Sequence, residues 1–175
     1  MRQFSRLRHL FATTIFVFLA ALSLPVQAGQ AEVDLLQSYV GSWRGEGMLT
    51  GGDEPEAFRC RLSVVKGSET KVNYAGRCSL VGMNLSINGT ISFSDANNRY
   101  EAAMTSNTDF SGMAVGRKRG NSIIFDLSER ETTKEGNELT IGSKILLKDG
   151  KITVEFDVTF SDSNETMNAS VPFNR

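Results

Sequence analysis

From Phe58 onward the chain alternates between apolar and polar positions. Phe58, Cys60, Leu62 and Val64 are apolar, while Arg59, Arg61 and Ser63 between them are polar. A period of two is that of a strand with one buried face. The same beat continues through Val72, Tyr74, Gly76 and Cys78, then through Leu85, Ile87, Gly89, Ile91 and Phe93. Tyr100, Ala102 and Met104 follow, then Met113 and Val115, then Ile123, Phe125 and Leu127. Leu139, Ile141, Ile145 and Leu147 lead to Ile152, Val154, Phe156, Val158 and Phe160, and Met167, Ala169, Val171 and Phe173 complete the series. Turn-forming residues separate these runs: Lys66-Gly67-Ser68, Ser94 to Asn98, Gly120-Asn121, Asp149-Gly150 and Ser161 to Asn164. Glu131 to Asn137 reads as a polar loop. Only Ala31 to Val40 carries a helical stripe, with Val33, Leu36 and Val40 near one face, and Gly41 is expected to stop that helix.

These runs amount to about ten strands, counting one that opens at Gly41, joined mostly by hairpin-type turns. The pattern predicts an all-β fold: a single up-and-down antiparallel barrel behind a short N-terminal helix. Closure removes the exposed edges that an open meander would leave. A membrane barrel would need an apolar outer face. The alternate positions here carry Arg, Lys, Asp and Glu, so the apolar face belongs inside.

The first 28 residues read differently. Arg2, Arg6 and Arg8 precede an apolar run from Leu10 to Leu24, and Val26-Gln27-Ala28 has the small residues of a signal-peptidase site. The run is shorter than the ~20 residues of a membrane span. Residues 1–28 are therefore expected to be a Sec-type signal peptide cleaved after Ala28, with residues 29–175 forming the barrel domain. No integral span is expected after cleavage, and the expected location is bacterial periplasm or secreted medium.

The 175-residue chain has a formal net charge of −1. Without the leader, 16 basic residues face 20 acidic ones, a net charge of −4. An acidic chain is a poor partner for nucleic acid. The only histidine, His9, departs with the leader, so His-ligated haem, His-containing zinc sites and His-activated nucleophiles are not expected. No cofactor or metal is implied. Cys60 and Cys78, the only cysteines, lie in phase with neighbouring apolar stripes. Across a hairpin, in an oxidising compartment, they are expected to form a disulfide.

The run Gly41-Ser42-Trp43-Arg44-Gly45-Glu46-Gly47 directly follows the helix. Trp43 is placed to pack across one barrel end. Gly45 and Gly47 share its parity and leave room either for strand curvature or for a ligand. This G-x-W-x-G-x-G strand, set before an antiparallel meander, resembles the calycin superfamily: lipocalins and the nitrobindin-like bacterial barrels. The resemblance implies a closed barrel with an internal binding site, and a basic residue near the chain end packed over the Trp, for which Arg175 is the candidate. Haem binding of the nitrobindin type does not transfer, since the mature chain lacks histidine.

The predicted interior is almost wholly apolar, interrupted by Gly76, Gly89, Ala102 and Ala169. These small residues mark either a cavity or tight packing. The candidate ligand-binding residues are Tyr74, Tyr100, Met104, Met113, Arg117, Phe125 and Phe156. The tyrosines would supply orientation. Arg117, in phase with Met113 and Val115, would either meet an acidic head group or stand solvated at a hairpin tip. No catalytic constellation is found: there is no G-x-S-x-G, P-loop or dinucleotide fingerprint. The sequence therefore predicts a non-enzymatic binder of a small apolar or amphipathic ligand. The alternative is a filled barrel acting as an envelope interaction or inhibitor module, and no protein partner is named.

Overall fold

The computed structural model describes residues 28–80, 83–107, 111–132 and 136–175. The signal-peptide expectation covers residues 1–28, of which 1–27 lie outside the described residues. Helix α1 (Ala28–Gln37) is followed by β1 (Gly41–Thr50), β2 (Glu56–Lys66), β3 (Lys71–Leu80), β4 (Met83–Ser94) and β5 (Arg99–Ser106). The chain continues through β6 (Ser111–Arg119), β7 (Ser122–Thr132), β8 (Glu138–Lys148), β9 (Lys151–Phe160) and β10 (Thr166–Asn174). Each strand pairs antiparallel with its neighbours in sequence, and β10 closes against β1 to give a ten-stranded barrel. Gly45 opposite Phe173 and Leu49 opposite Ala169 fix the register of that closure. The fold is the all-β barrel that the alternation predicts.

The hairpins follow turn chemistry. Asp149 and Gly150 both take positive φ, at 51° and 70°, which matches the twist of the strands they join. Asn98, Gly120 and Asn164 hold the same left-handed region at three other turns. The glycines are free there, and asparagine tolerates it best among residues with a Cβ.

Helix α1 lies across one end of the barrel. Gln37 Nε2 donates to Glu69 O in the β2–β3 turn at 2.9 Å, and Lys118 Nζ meets Glu32 Oε1 at 2.7 Å beside the β6–β7 turn. The helix runs three residues earlier at each end than its apolar stripe predicts. It finishes at Gln37, and tight turns at Tyr39 and Val40, bonded to Leu36 O and Gln37 O, carry the chain to β1. Gly41 therefore begins the strand and does not terminate the helix. Val40, expected on the buried face, is exposed as a result.

One strand faces opposite to expectation. In β6, Gly112, Ala114 and Gly116 oppose the inward Met104, Ala102 and Tyr100. Met113 and Val115 consequently point outward and are 75% and 40% exposed. Arg117 shares their side of the sheet and is exposed as well. The register needs small residues inside at this point because large rings occupy the space. A Cβ on Gly116 would collide with the Phe125 ring.

Candidate functional site

The barrel interior divides into a packed floor and a cavity above it. The floor lies under α1. Leu36, Tyr100 and Ile123 have no exposed surface there, and Phe125, Tyr39 and Trp43 have almost none. Trp43 Nε1 donates to Tyr39 O at 3.0 Å, and the two rings stack at 6.4 Å. The Arg175 guanidinium sits 4.6 Å from the Trp43 ring centroid and donates to Ser38 O, closing the end of β10 onto the helix turn. The cation–π contact and the backbone bond together tie first strand, last strand and helix. Arg175 thus packs over Trp43, the contact for which it was the candidate.

Gly45 and Gly47 belong to the same construction and leave no space for a ligand. A Cβ on Gly45 would stand 2.6 Å from Val171 Cγ1, and one on Gly47 2.7 Å from Phe58 Cζ. The space of their missing side chains is taken by Val171, Phe173 and Phe58, not by a ligand.

Above the floor, a cavity of about 290 Å³ runs up the barrel axis. Leu36 and Tyr39 form its base. Its walls include Leu62, Val72, Leu85, Ile87, Met104, Ile141, Ile145, Val154 and Phe156. Several of these, among them Leu62, Leu85, Ile87, Met104, Ile141 and Phe156, point inward by strand parity yet remain only half-buried. Inward residues that keep contact with solvent face empty space, since a close-packed interior would bury them. Of the small inward residues, Gly76 lines the cavity, and Gly89 instead makes room for the Tyr74 phenol lying against it from the neighbouring strand. Both open readings of the small residues are thus realised, at different positions.

The disulfide joins Cys60 and Cys78, which are direct cross-strand partners on β2 and β3. It forms part of the cavity wall. The bridge fastens the two strands at mid-height, where the interior offers little packing of its own.

The polar groups of the cavity are few. Tyr74, Ser106 and Ser143 line it, and no Asp, Glu, Lys or His among the described residues does. Arg61 and Arg77 border it at strand positions whose residues are exposed on the outer face. Tyr74 is 8% exposed, and its hydroxyl is buried with no hydrogen-bond partner among the described residues. Burial pushes its phenol up to about 12, so it is neutral and a proton donor across the ordinary pH range. A second void of about 10 Å³ lies on its other side, walled by Ala102, Gly112, Ala114, Phe125 and Leu127. Tyr74, Met104, Ser143 and Ile145 separate the two spaces.

Of the candidate ligand-binding residues, the structure brings Tyr74, Met104 and Phe156 to the cavity, and Phe125 to the adjoining void. Tyr100 is not among them. Its hydroxyl donates to Glu32 O at 3.1 Å, and its ring stands edge-on to Phe93 and Phe125 at 5.0 and 6.4 Å. Burial first, and then the nearby Glu32 charge, hold its phenol well above the ordinary tyrosine value. It is a floor residue with its polar tip committed to the helix. Met113 and Arg117 lie on the outer face. Ser106 and Ser143 were missed, although each continues an apolar stripe, Ser106 after Met104 and Ser143 between Ile141 and Ile145. A hydroxyl in phase with buried positions is the signal that finds them.

No family model and no curated protein sequence matches the chain. Solved structures do resemble it. Rv2717c from M. tuberculosis superimposes with a TM-score of 0.63 at 13% identity, covering 82% of this chain and 96% of that one. The S-type phycobiliprotein lyase CPES from Guillardia theta gives 0.51 at 8% identity, covering 85% and 93%. At such identities the likeness is one of fold. It agrees with the closed ten-stranded antiparallel topology described above.

Proposed function

We propose that this protein is a periplasmic or secreted carrier, not an enzyme, that holds a small apolar or amphipathic molecule inside its barrel. The observation that carries the reading is the set of inward apolar side chains left half-buried around a cavity of about 290 Å³. That volume stands near the lower bound of small-molecule sites, about 300–1,000 Å³, and the mix of apolar wall and few polar groups is typical of them. A filled barrel acting through its outer surface would instead bury those side chains against each other. Among the described residues that line the cavity there is no carboxylate, imidazole or lysine amine to activate a nucleophile, which supports binding over catalysis. The location rests on the basic and apolar leader in residues 1–28, and a disulfide suits an oxidising compartment.

Native mass spectrometry tests the carrier. Protein isolated from its own host's envelope fraction is expected to carry a discrete excess mass over the oxidised chain beginning at Gly29, lost on denaturation. The variant Leu62→Trp, which fills the cavity from β2, is expected to lack it. A bare wild-type chain that also fails to take up an apolar fluorescent dye would overturn the proposal.

A further inference from the structure

Resting on that carrier reading, we infer that the ligand is an uncharged molecule with an apolar body and one hydrogen-bond acceptor, such as a carbonyl or ether oxygen, which Tyr74 receives at mid-height in the barrel.

The argument begins with what the cavity lacks. Among the described residues no cationic side chain points into it, and Arg61 and Arg77 belong to the exposed outer face. A carboxylate or phosphate drawn inside would lose its water without gaining a counter-charge, at a cost of several kcal/mol. No acidic side chain among the described residues lines the cavity, so a buried ammonium fares no better. An ionised group on a ligand would have to stay in water at the mouth. What enters is neutral.

The second step is the Tyr74 hydroxyl. It is the buried side-chain oxygen of the cavity that lacks a partner among the described residues. A buried donor without an acceptor is costly, and backbone strands beside it already spend their carbonyls on the ladder. A pure hydrocarbon in the cavity would seal that donor from water and make the loss permanent. A ligand oxygen within reach would recover it. The phenol is held in place by its neighbour, because Gly89 opposite it in β4 has no Cβ to displace the ring. Ser106 on β5 and Ser143 on β8 also line the cavity, but the Tyr74 hydroxyl on β3 is the one that is buried without a partner among the described residues.

Displacement of a bound apolar dye from the full mature protein tests this with three ligands of equal chain length: dodecane, 2-dodecanone and dodecanoate. The ketone is expected to displace the dye at about tenfold lower concentration than the hydrocarbon, the value of relieving one buried donor. Dodecanoate is expected to bind no more tightly than dodecane. In Tyr74→Phe the ketone should fall to the hydrocarbon's level, both being read against the dye affinity measured for that variant. A second reading does not depend on the variant: the infrared carbonyl stretch of 2-dodecanone bound to wild type should shift to lower frequency than in hexane. Equal binding of ketone and hydrocarbon, a preference that survives Tyr74→Phe, tightest binding of dodecanoate, or an unshifted carbonyl would each overturn the inference and leave the carrier standing. A wild-type protein that takes up no dye would overturn the carrier itself, and this inference with it.

Discussion

The two halves of the barrel interior are written in the same alphabet and do different work. The floor under α1 and the cavity above it are both lined by aliphatic and aromatic residues of one strand parity. In the floor the polar tips are committed: Trp43 donates to Tyr39 O, Tyr100 donates to Glu32 O, and the Tyr39 hydroxyl bonds the Gly150 backbone. Arg175 caps the Trp43 ring from outside. In the cavity, side chains of the same kind remain half-buried, and the Tyr74 hydroxyl has no partner among the described residues. The difference teaches that hydrophobicity decides which face points inward, while the satisfaction of polar tips shows where the interior is finished and where it awaits a guest. Stability is concentrated at one end so that the other can stay open.

The largest effect that this contrast implies is at Trp43. Removing the ring with Trp43→Ala opens a cavity among Tyr39, Arg175 and the first and last strands, and should cost about 3–5 kcal/mol. The midpoint of urea unfolding measures it. Trp43 is the sole tryptophan, so the transition must be followed by circular dichroism and not by fluorescence. A loss below ~1 kcal/mol would mean that the helix end is not the anchor of the barrel.

A matched pair sharpens the comparison. Ile123 in the floor has no exposed surface, whereas Ile87 lines the cavity and is half-buried. The chemistry of Ile→Ala is identical at both sites. At Ile123 the deleted atoms leave a hole in close packing, and the cost belongs in the upper part of the ~2–5 kcal/mol range. At Ile87 the side chain already borders empty space and has fewer packing partners to lose, so the cost should fall at or below ~2 kcal/mol. Equal losses in paired unfolding curves would erase the distinction between the two regions.

The same difference explains what the sequence could and could not say. Strand number, closure and the Cys60–Cys78 pair were legible because each depends on parity or on position along the meander, and the Trp43–Arg175 contact only through the resemblance that the entry strand carries. β6 was misread. Hydrophobicity favoured Met113 and Val115 as the inward set, yet Arg117 and Arg119 share their parity, and charge is the stronger constraint. Gly112, Ala114 and Gly116 face inward because Tyr100 and Phe125 fill the space above them. A pattern read strand by strand cannot see that compensation across strands. For the same reason it could not separate Tyr100 from Tyr74. Both lie in apolar stripes, and only the helix backbone at Glu32 distinguishes the satisfied one from the free one.

That pair gives the smallest and most selective prediction. Tyr100→Phe deletes a hydroxyl that donates to Glu32 O, and should cost about 1 kcal/mol at neutral pH. Tyr74→Phe deletes an orphan, and should be neutral or slightly stabilising. Alkaline pH then reads the orphan directly. Burial raises the folded-state Tyr74 phenol from its ordinary 10 to about 12. Below pH 10 both folded and unfolded chains keep the proton, and Tyr74 has no effect on the pH dependence. Above it the unfolded chain loses the proton first, so it binds fewer protons than the native one and stability falls as pH rises toward about 12. Each unit of that difference corresponds to about 1.4 kcal/mol at most. Tyr39 and Tyr100 are raised by burial too, and add to the wild-type slope. Urea midpoints at pH 8 and pH 11 should therefore fall less in Tyr74→Phe than in wild type, by roughly 1 kcal/mol. If the variant falls as steeply as wild type, the Tyr74 hydroxyl is reached by water in the empty barrel, and the cavity is wetter at that height than its walls imply.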